Sequence, residues 1–297
     1  MARGLARTRA EAARLILAGR VRLADGAAAK AGRLVAGDVP LALAAPAPFV
    51  SRGGEKLAAA LAAFRVVVRD RVCLDAGAST GGFTDCLLQA GARRVYAVDV
   101  GHGQLHARLL ADPRVVVRDG VNTRYLTPEG LGEPVTLVTV DVSFISLTKV
   151  LPALARCLVR PLDVGGQEGP RSGASNDAPA AMIVALVKPQ FEVGRRQVGK
   201  GGVVRDPALH AAAVQTVAGA GRALGLRAVG VVASPLRGPK GNREFFLHLA
   251  PGVPGEAPGP ETDPAEAARF AAVVVAAVGS VGSAPLEPDP PAEGVSP

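Results

Sequence analysis

The sequence predicts an α/β fold built on a doubly wound, Rossmann-like and mostly parallel sheet, with a smaller unit in front of it. From Val72 onward, short apolar runs alternate with helical segments, which is the order of a parallel sheet covered on both faces. The runs are continuous in Val, Leu and Ala, as expected of strands buried on both sides. The first run leads into the Gly-rich loop of "VCLDAGASTGGFTD", residues 72 to 85, at the start of a helix.

The predicted elements of this sheet domain follow one another without an internal repeat. Strands are predicted at residues 72 to 74, 95 to 100, 115 to 117, 135 to 140, 183 to 187, 228 to 233 and 245 to 249. Helices are predicted at residues 83 to 90, 104 to 111, 145 to 160 and 207 to 224. The last strand follows the loop "SPLRGPKGN" and is predicted to run antiparallel beside the strand before it.

The N-terminal residues 1 to 45 are predicted to form the separate unit. In "TRAEAARLILAGRV", Thr8 and Glu11 have the spacing of a capping box at the start of a short basic helix. Residues 21 to 30 alternate in polarity and then turn at Asp-Gly, which indicates a small hairpin, and "GDVPLAL" is predicted to be a closing strand.

Pro- and Gly-rich composition sets the remaining boundaries. Residues 46 to 55 are predicted to be a linker, and residues 56 to 250 the large domain. Residues 163 to 180, "DVGGQEGPRSGASNDAPA", are predicted to be a surface insertion between a helix and a strand. Residues 251 to 297 are acidic and Pro-rich, with one helix candidate in "PAEAARFAAVVVAAVG" and an end predicted to stay unfolded.

Composition excludes several classes of protein. The longest apolar runs, "FAAVVVAAV" and "APAAMIVALV", are about half the length of a membrane span, so no membrane contact is expected. The start "MARGLARTR" has neither the apolar core nor the cleavage site of an export signal. Cys73, Cys86 and Cys157 are widely spaced and make neither a disulfide framework nor a metal site. These features predict a cytoplasmic protein without a bound metal.

The net charge of +8 is unevenly distributed along the chain. Residues 1 to 56 carry 10 Lys and Arg against 4 Asp and Glu, and residues 57 to 250 carry 23 against 15, whereas residues 251 to 297 carry 1 against 7. A folded part this basic predicts a polyanion such as nucleic acid as partner, and an Arg-rich coding bias is the alternative. The basic side chains of the N-terminal unit are predicted to contact phosphates: Arg7, Arg9, Arg14, Arg20, Arg22 and Lys30.

The Gly-rich loop is predicted to hold a nucleoside cofactor. A dinucleotide fingerprint needs Gly at the first, third and sixth positions, but from Gly77 the third position is Ser79, and only the sixth, Gly82, fits. No Lys-Ser or Lys-Thr pair follows, so the P-loop pattern is absent as well. Asp75 precedes the loop, and Asp99 ends the second strand, where an acid commonly takes a ribose hydroxyl pair. This combination favours S-adenosylmethionine, and a tight turn without a ligand is the alternative.

Polar residues near the predicted carboxyl edge of the sheet are candidates for chemistry. Asp141 and Lys188 end strands, and Glu244 begins the last strand, which places it at the same edge if that strand is antiparallel. Lys56 lies at the head of a helix before the domain. A Lys beside carboxylates in a sheltered site can activate a hydroxyl, because the acids order and tune the amine. A solvated Lys at a strand end and an Asp that caps a helix are the ordinary alternatives.

Several long motifs make the chain resemble one family. The motifs are "RAEAARLILAGRV", "SRGGEKL", "LDAGASTGGFTD", "DVSFISL", "LVKPQFEVG", "GGVVRDP" and "GNREFF". Across residues 1 to about 250 the chain is similar to the TlyA family, the S4-domain-bearing branch of the FtsJ-like RNA 2′-O-ribose methyltransferases. The resemblance implies an S-adenosylmethionine-dependent methyltransferase sheet with a small N-terminal S4 RNA-binding domain. It also implies methylation of cytidine in ribosomal RNA, with rRNA within ribosomal subunits as the partner.

The same resemblance implies the roles of individual residues. A Lys-Asp-Lys-Glu tetrad falls on Lys56, Asp141, Lys188 and Glu244 without a departure. Lys188 is expected to lower the pKa of a ribose 2′-OH or to deprotonate it, while the other members orient it for in-line attack on the methyl group. The cofactor is expected to rest on a set of loop and strand-end residues: Asp75, Gly77, Ser79, Gly81, Gly82, Phe83, Asp99 and Asp119.

Two departures from the family pattern and two alternative functions complete the expectations. His102 stands in "GHGQL" where the family more often has Tyr, and we expect it to have no catalytic role. The start at Met1 shortens the S4 domain or is assigned too late, and we favour the second explanation. One alternative is a ribosome-binding or assembly factor with an inactive domain, against which the intact tetrad counts. The other is a membrane-active hemolysin, against which the lack of a strongly amphipathic basic helix counts.

Overall fold

The structure, a computed structural model, describes residues 4–17, 20–23, 32, 34–36, 38–45, 47–158, 180–252 and 264–279. The chain divides into two compact units, Met1–Pro48 and Phe49–Pro297. The smaller unit contains helix α1 (Arg9–Leu17) and an antiparallel pair of strands, β1 (Val21–Leu23) and β2 (Leu41–Leu43).

In the smaller unit, the start of helix α1 is close to the prediction. The hydroxyl of Thr8 accepts a hydrogen bond from the N–H of Glu11 at 3.1 Å. The capping box is incomplete, because the Glu11 carboxylate accepts from the N–H of Arg7 at 2.7 Å and not from that of Thr8. Strand β2 corresponds to the predicted closing strand and pairs with β1, whereas the predicted Asp-Gly turn lies outside the described residues. The S4 fold stays a prediction.

The larger unit is built on a seven-stranded sheet with the order β5-β4-β3-β6-β7-β9-β8. Its strands are β3 (Val72–Ala76), β4 (Arg94–Val98), β5 (Val115–Arg118), β6 (Leu137–Val140), β7 (Met182–Val187), β8 (Leu226–Ala233) and β9 (Phe245–Pro251). The predicted α/β class and all seven predicted strands are confirmed. Strands β3 to β7 pair in parallel, and β9 pairs antiparallel with both β7 and β8. Because Phe245 lies opposite Val187, the start of β9 shares an edge with the end of β7.

The helices of the larger unit differ from the prediction in several places. They are α2 (Arg52–Ala63), α3 (Gly82–Gln89), α4 (Ala107–Leu110), α5 (Leu151–Cys157), α6 (Pro189–Glu192), α7 (Pro207–Ala223) and α8 (Pro264–Gly279). Helix α2 begins inside the segment predicted as linker. The predicted helix at residues 145 to 160 is wrong at its start, where an irregular loop and a 3-10 turn precede α5. The Glu192 carboxylate causes this, since it accepts from the Ser146 hydroxyl at 2.6 Å and the Leu147 N–H at 2.8 Å.

Two apolar clusters cover the two faces of the sheet. Successive strand residues alternate between them: Leu74 belongs to one cluster and Cys73 to the other. Helix α8 packs on the first cluster through the fully buried Val274. All three cysteines are free and buried, and burial raises the pKa of the Cys73 thiol to about 12. Within the described residues, no helix has the length and apolarity that crossing a bilayer requires.

Candidate active site

A pocket of about 380 Å³ opens at the carboxyl edge of the parallel strands. All four tetrad candidates line it: Lys56, Asp141, Lys188 and Glu244. Four of the predicted cofactor residues line it as well: Gly77, Ser79, Gly82 and Phe83. The other predicted cofactor residues are outside the lining: Asp75, Gly81, Asp99 and Asp119. The fold therefore brings the two predicted groups into one concave site.

Lys188 and Asp141 form the first ion pair of the pocket. They follow β7 and β6, which are neighbours in the sheet, and Lys188 Nζ lies 2.6 Å from Asp141 Oδ1. The two groups are close enough for an ion pair, but their geometry does not make a hydrogen bond. Lys188 Nζ instead donates a hydrogen bond to the Ser143 hydroxyl at 2.8 Å. Ser143 was missed from the sequence, although it stands two residues after Asp141 in the quoted motif "DVSFISL". The ammonium of Lys188 is thus held by two groups of the same loop.

Lys56 and Glu244 form the second ion pair, with Nζ 2.5 Å from Oε2. Both side chains are almost completely buried, at 8% and 1% exposed. A Cβ on Gly238 would fall 2.5 Å from Oε1 of Glu244, so a glycine there lets the backbone close over the carboxylate. The family resemblance grouped the four residues as one tetrad, and in the structure they form two ion pairs of one lysine and one carboxylate each.

The glycines of the loop are required mainly by close packing within the protein. Gly77 has φ +88°, and a Cβ there would lie 2.5 Å from the carbonyl oxygen of Asp141. Gly82 starts α3 against the N-terminus of α2, and a Cβ there would collide with Ser51 Oγ. Gly81, with φ +95°, packs against Leu109. The absence of a side chain at Gly77 therefore lets the Gly-rich loop approach the loop that carries Asp141.

Asp99 and Asp119 organise the loops around the pocket. The two oxygens of Asp99 accept hydrogen bonds from the N–H groups of Ser79 at 2.8 Å and Gly101 at 2.7 Å. Asp119 accepts from the N–H of Gly103 at 2.7 Å and is otherwise exposed. Each carboxylate oxygen can accept a second hydrogen bond, so these contacts leave capacity for the hydroxyls of a ligand.

Asp75 is a fully buried carboxyl at the end of β3. Its Oδ2 accepts from the Thr84 hydroxyl at 2.6 Å, and its buried Oδ1 has no hydrogen-bond partner in the protein. Burial raises the pKa of Asp75 to about 7, and the nearby charges of Asp141 and Asp99 add to this while Thr84 opposes it. An orphaned acceptor of this kind is a place for a donor on a bound molecule.

The raised pKa of Asp75 predicts how stability depends on pH. Between about pH 4 and pH 7 the folded chain keeps a proton that the unfolded chain, with an ordinary pKa of 3.8, releases. The Asp75 contribution to the free energy of unfolding therefore falls as pH rises through this range. We expect Asp75→Asn to remove that part of the slope in urea unfolding measured at several pH values. An unchanged slope in the variant would show that Asp75 is ionised in the folded protein.

The segment after β6 and the segment after β7 contact each other along their length. Lys188 meets Ser143, the ring of Phe191 lies 5.4 Å from that of Phe144, and Glu192 holds the following turn. Phe144 is 92% exposed and has φ +66°, an unusual backbone conformation for a residue with a bulky side chain. Phe144 was not predicted from the sequence. Its position three residues after Asp141 was the only available signal.

The predicted phosphate contacts of the smaller unit are partly described. Arg7, Arg9, Arg14 and Arg22 are exposed, and Arg20 donates from Nε to the carbonyl oxygen of Ala44 at 3.0 Å. Lys30 lies outside the described residues. RNA binding by these residues stays a prediction.

Comparison with known proteins relates the pocket to a family. The FtsJ-like methyltransferase family matches residues 49–250 of the chain. The 16S/23S rRNA (cytidine-2′-O)-methyltransferase TlyA of Mycobacterium tuberculosis is 52% identical over 249 residues, which cover 83% of this chain and 86% of that protein. YqxC of Bacillus subtilis, provisionally named an rRNA methyltransferase, is 45% identical over 252 residues, covering 83% of this chain and 82% of that protein. A solved structure from Streptococcus thermophilus, provisionally described as a hemolysin, has a TM-score of 0.67 at 38% identity and covers 92% of this chain and 91% of its own.

Proposed function

Because this chain belongs to the FtsJ-like methyltransferase family, we propose that it methylates the ribose 2′-hydroxyl of a cytidine in ribosomal RNA, with S-adenosylmethionine as donor. The observation that carries the proposal is the Lys188–Asp141 pair, which shares one pocket with the Gly-rich loop. The similarity to a relative named for this reaction supports the choice of RNA and of cytidine.

The residues around the pocket fit S-adenosylmethionine. No Lys or Arg belongs to the loop segment from Gly77 to Phe83, which suits a nucleoside cofactor that lacks a pyrophosphate. Asp99 keeps acceptor capacity for ribose hydroxyls, and the orphaned oxygen of Asp75 offers an acceptor for a donor on the ligand. When bound, the cofactor supplies a methyl group on a sulfonium that is already reactive, so the chain contributes mainly alignment.

In the proposed reaction the lysines act on the oxygen that is methylated. The ammonium of Lys188, fixed by Asp141 and Ser143, stabilises negative charge on the 2′-oxygen and so lowers the pKa of the hydroxyl. In the alternative form of the step, Lys188 is a neutral amine and takes the proton of the hydroxyl itself. The Lys56–Glu244 pair lines the same pocket and orients the ribose. The O–H bond breaks as the new O–CH₃ bond forms in place of the S–CH₃ bond of the donor, which would leave as the neutral thioether. The proton passes to Lys188 or to the surrounding water.

Phe144 is a candidate for contact with the base of the target nucleotide. Its ring is exposed beside the pocket residue Ser143, and aromatic faces are what proteins commonly use to stack an unpaired RNA base. Its left-handed backbone is kept in place by the Phe191 ring and by the Glu192 hydrogen bonds to the same loop. Strain that the surrounding contacts enforce in this way is typical of functional sites.

The proposal is tested by methyl transfer from labelled S-adenosylmethionine to unmodified 30S and 50S subunits. After digestion of the RNA to nucleosides, we expect the label in 2′-O-methylcytidine. Subunits first treated with the same protein and unlabelled cofactor serve as control and should take up no further label. Label in a base, or no label from protein shown calorimetrically to bind the cofactor, would contradict the proposal.

A further inference from the structure

Exposed basic side chains lie in the pocket lining of the larger unit and on two loops that connect with it. We call this set the basic rim, and it consists of Arg52, Arg195, Arg196, Lys200, Arg237 and Lys240. Among the described residues, none of the six forms an ion pair with a carboxylate. Of the acids close to this set along the chain, Glu192 accepts from Ser146 and Leu147, Glu244 pairs with Lys56 and Asp206 caps helix α7. The exposed Glu55 forms no ion pair among the described residues. The charge of the rim is therefore not neutralised within this unit.

The rim is held together by hydrogen bonds among the loops that carry it. The buried side chain of Asn242 donates to the carbonyl of Gly202 at 2.8 Å and accepts from the N–H of Val204 at 3.0 Å. These bonds join the loop of residues 194 to 206 to the loop of residues 235 to 243. A Cβ built on Gly202 would lie 3.7 Å from Lys240 Nζ, so Lys240 packs against the loop that carries Lys200.

Arg52 links this surface to the pocket. Its guanidinium donates to the carbonyl oxygen of Arg237 at 3.2 Å, and Arg52 and Pro239 line the pocket together with Lys188. The rim is thus continuous with the site at which the hydroxyl would react. Like charges held side by side repel one another, so the arrangement does not serve the stability of the unit. It suits a polyanion that runs across the mouth of the pocket.

An RNA backbone fits this surface better than an anionic membrane does. Membrane-surface binding needs apolar side chains beside the basic ones. In the part of the chain that the structure describes, no large apolar side chain of residues 194 to 206 or 235 to 243 is exposed. Phosphate contacts by Arg and Lys position a nucleic acid without reading its sequence. Each arginine of the rim can bind two oxygens of one phosphate group.

We propose that the basic rim is a second RNA-binding surface, which belongs to the larger unit and grips phosphates flanking the target nucleotide. The inference rests on the proposed function, because it takes RNA as the substrate. It adds that the larger unit contributes its own phosphate contacts, separate from the arginines predicted for the smaller unit. Binding by the full chain then depends on salt more steeply than the smaller unit alone would cause.

The test compares two full-length variants of equal charge change. The rim variant is R195Q/R196Q/K200Q/K240Q. The control is R65Q/R69Q/R156Q/R227Q, which removes four exposed arginines that make no ion pair among the described residues and that lie outside the pocket-bearing loops. Filter binding to protein-free, unmodified rRNA at several KCl concentrations gives the salt slope of each protein. Thermal unfolding confirms that both variants fold.

For the rim variant, we expect the slope of log K against log [KCl] to fall in magnitude by about 0.7 to 0.9 per lost phosphate contact, hence by up to about 3.6 in total. We also expect it to bind at least about tenfold more weakly at 100 mM KCl. The control should stay within about 1 of the wild-type slope. Equal losses in both variants, or none in either, would overturn the inference. So would loss of binding to anionic phosphatidylglycerol vesicles with unchanged RNA binding.

Methyl transfer measured on the same proteins separates this inference from the proposed function. If wild type transfers no methyl group but the rim variant still loses RNA binding, the proposed methyl transfer is rejected and the RNA-binding surface is supported. If wild type methylates rRNA and the rim variant binds RNA as the control does, only the proposal of the RNA-binding surface is rejected.

Discussion

Replacement of Lys188 by methionine is expected to lower kcat for methyl transfer by about 10²- to 10⁴-fold, because the charge that stabilises the 2′-oxygen is lost. Methionine keeps the length and the apolar part of the side chain. The Asp141 side chain is 24% exposed, so its carboxylate keeps contact with water although Oδ1 is buried, and the fold should persist with some loss of stability. The dissociation constant for S-adenosylmethionine, measured by calorimetry, should stay within about twofold of wild type, since Lys188 acts on the acceptor hydroxyl.

The matched control for Lys188→Met is Lys149→Met. Lys149 is an exposed lysine at the end of the 3-10 turn Leu147–Lys149 and does not line the pocket. We expect this control to keep nearly full activity. Full activity in Lys188→Met would remove the residue from the mechanism, and a loss confined to cofactor affinity would assign it to binding.

The second large effect is expected on stability, from the buried Lys56–Glu244 pair. Glu244→Leu leaves the Lys56 ammonium buried and unpaired, which should lower the free energy of unfolding by about 3 to 5 kcal/mol. The double variant Lys56→Met/Glu244→Leu removes both charges and replaces them by apolar side chains of similar size. Buried ion pairs replaced in this way often leave stability unchanged or raise it, so the double variant should recover to within about 1 kcal/mol of wild type.

Urea unfolding of wild type, both single variants and the double variant measures this coupling. Methyl transfer by the double variant should remain lost, because the pair is also proposed to orient the ribose. Recovered stability with no activity would show that the pair serves function and contributes no net stability. If Glu244→Leu is as stable as wild type, Lys56 reaches water in the folded protein and the burial argument fails.

The strands could be predicted from the sequence because each is a continuous apolar run bounded by polar or Gly-rich residues. The reversal of β9 was also predictable, since residues 234 to 244, which connect it to β8, are too few for the crossover that a parallel pair needs. Its insertion between β7 and β8 was not, because strand order depends on contacts between distant segments. The start of the predicted helix at residues 145 to 160 was wrong for the same reason: Glu192, far along the chain, holds the loop open.

The candidate site was predictable in composition but not in arrangement. Strand-end positions suggested Asp141 and Lys188, and the family resemblance grouped them with Lys56 and Glu244. The partner of each lysine depends on side-chain geometry, which spacing along the chain does not encode. The family resemblance also assigned Gly82 to the cofactor, whereas its closest neighbours in the structure are Ser51 and the first residues of helix α2.

The separation between Lys56 and Glu244 also constrains when the enzyme becomes active during its synthesis. The two residues are 188 positions apart, so their contact closes most of the larger unit. Contacts between such distant residues form late, because the intervening chain must be ordered first. Lys56 leaves the ribosome early and has to wait for β9, the last strand of the sheet, to bring its counterion. A growing chain therefore lacks a complete pocket until the sheet is finished, and under the proposed function it cannot modify the ribosomes around it.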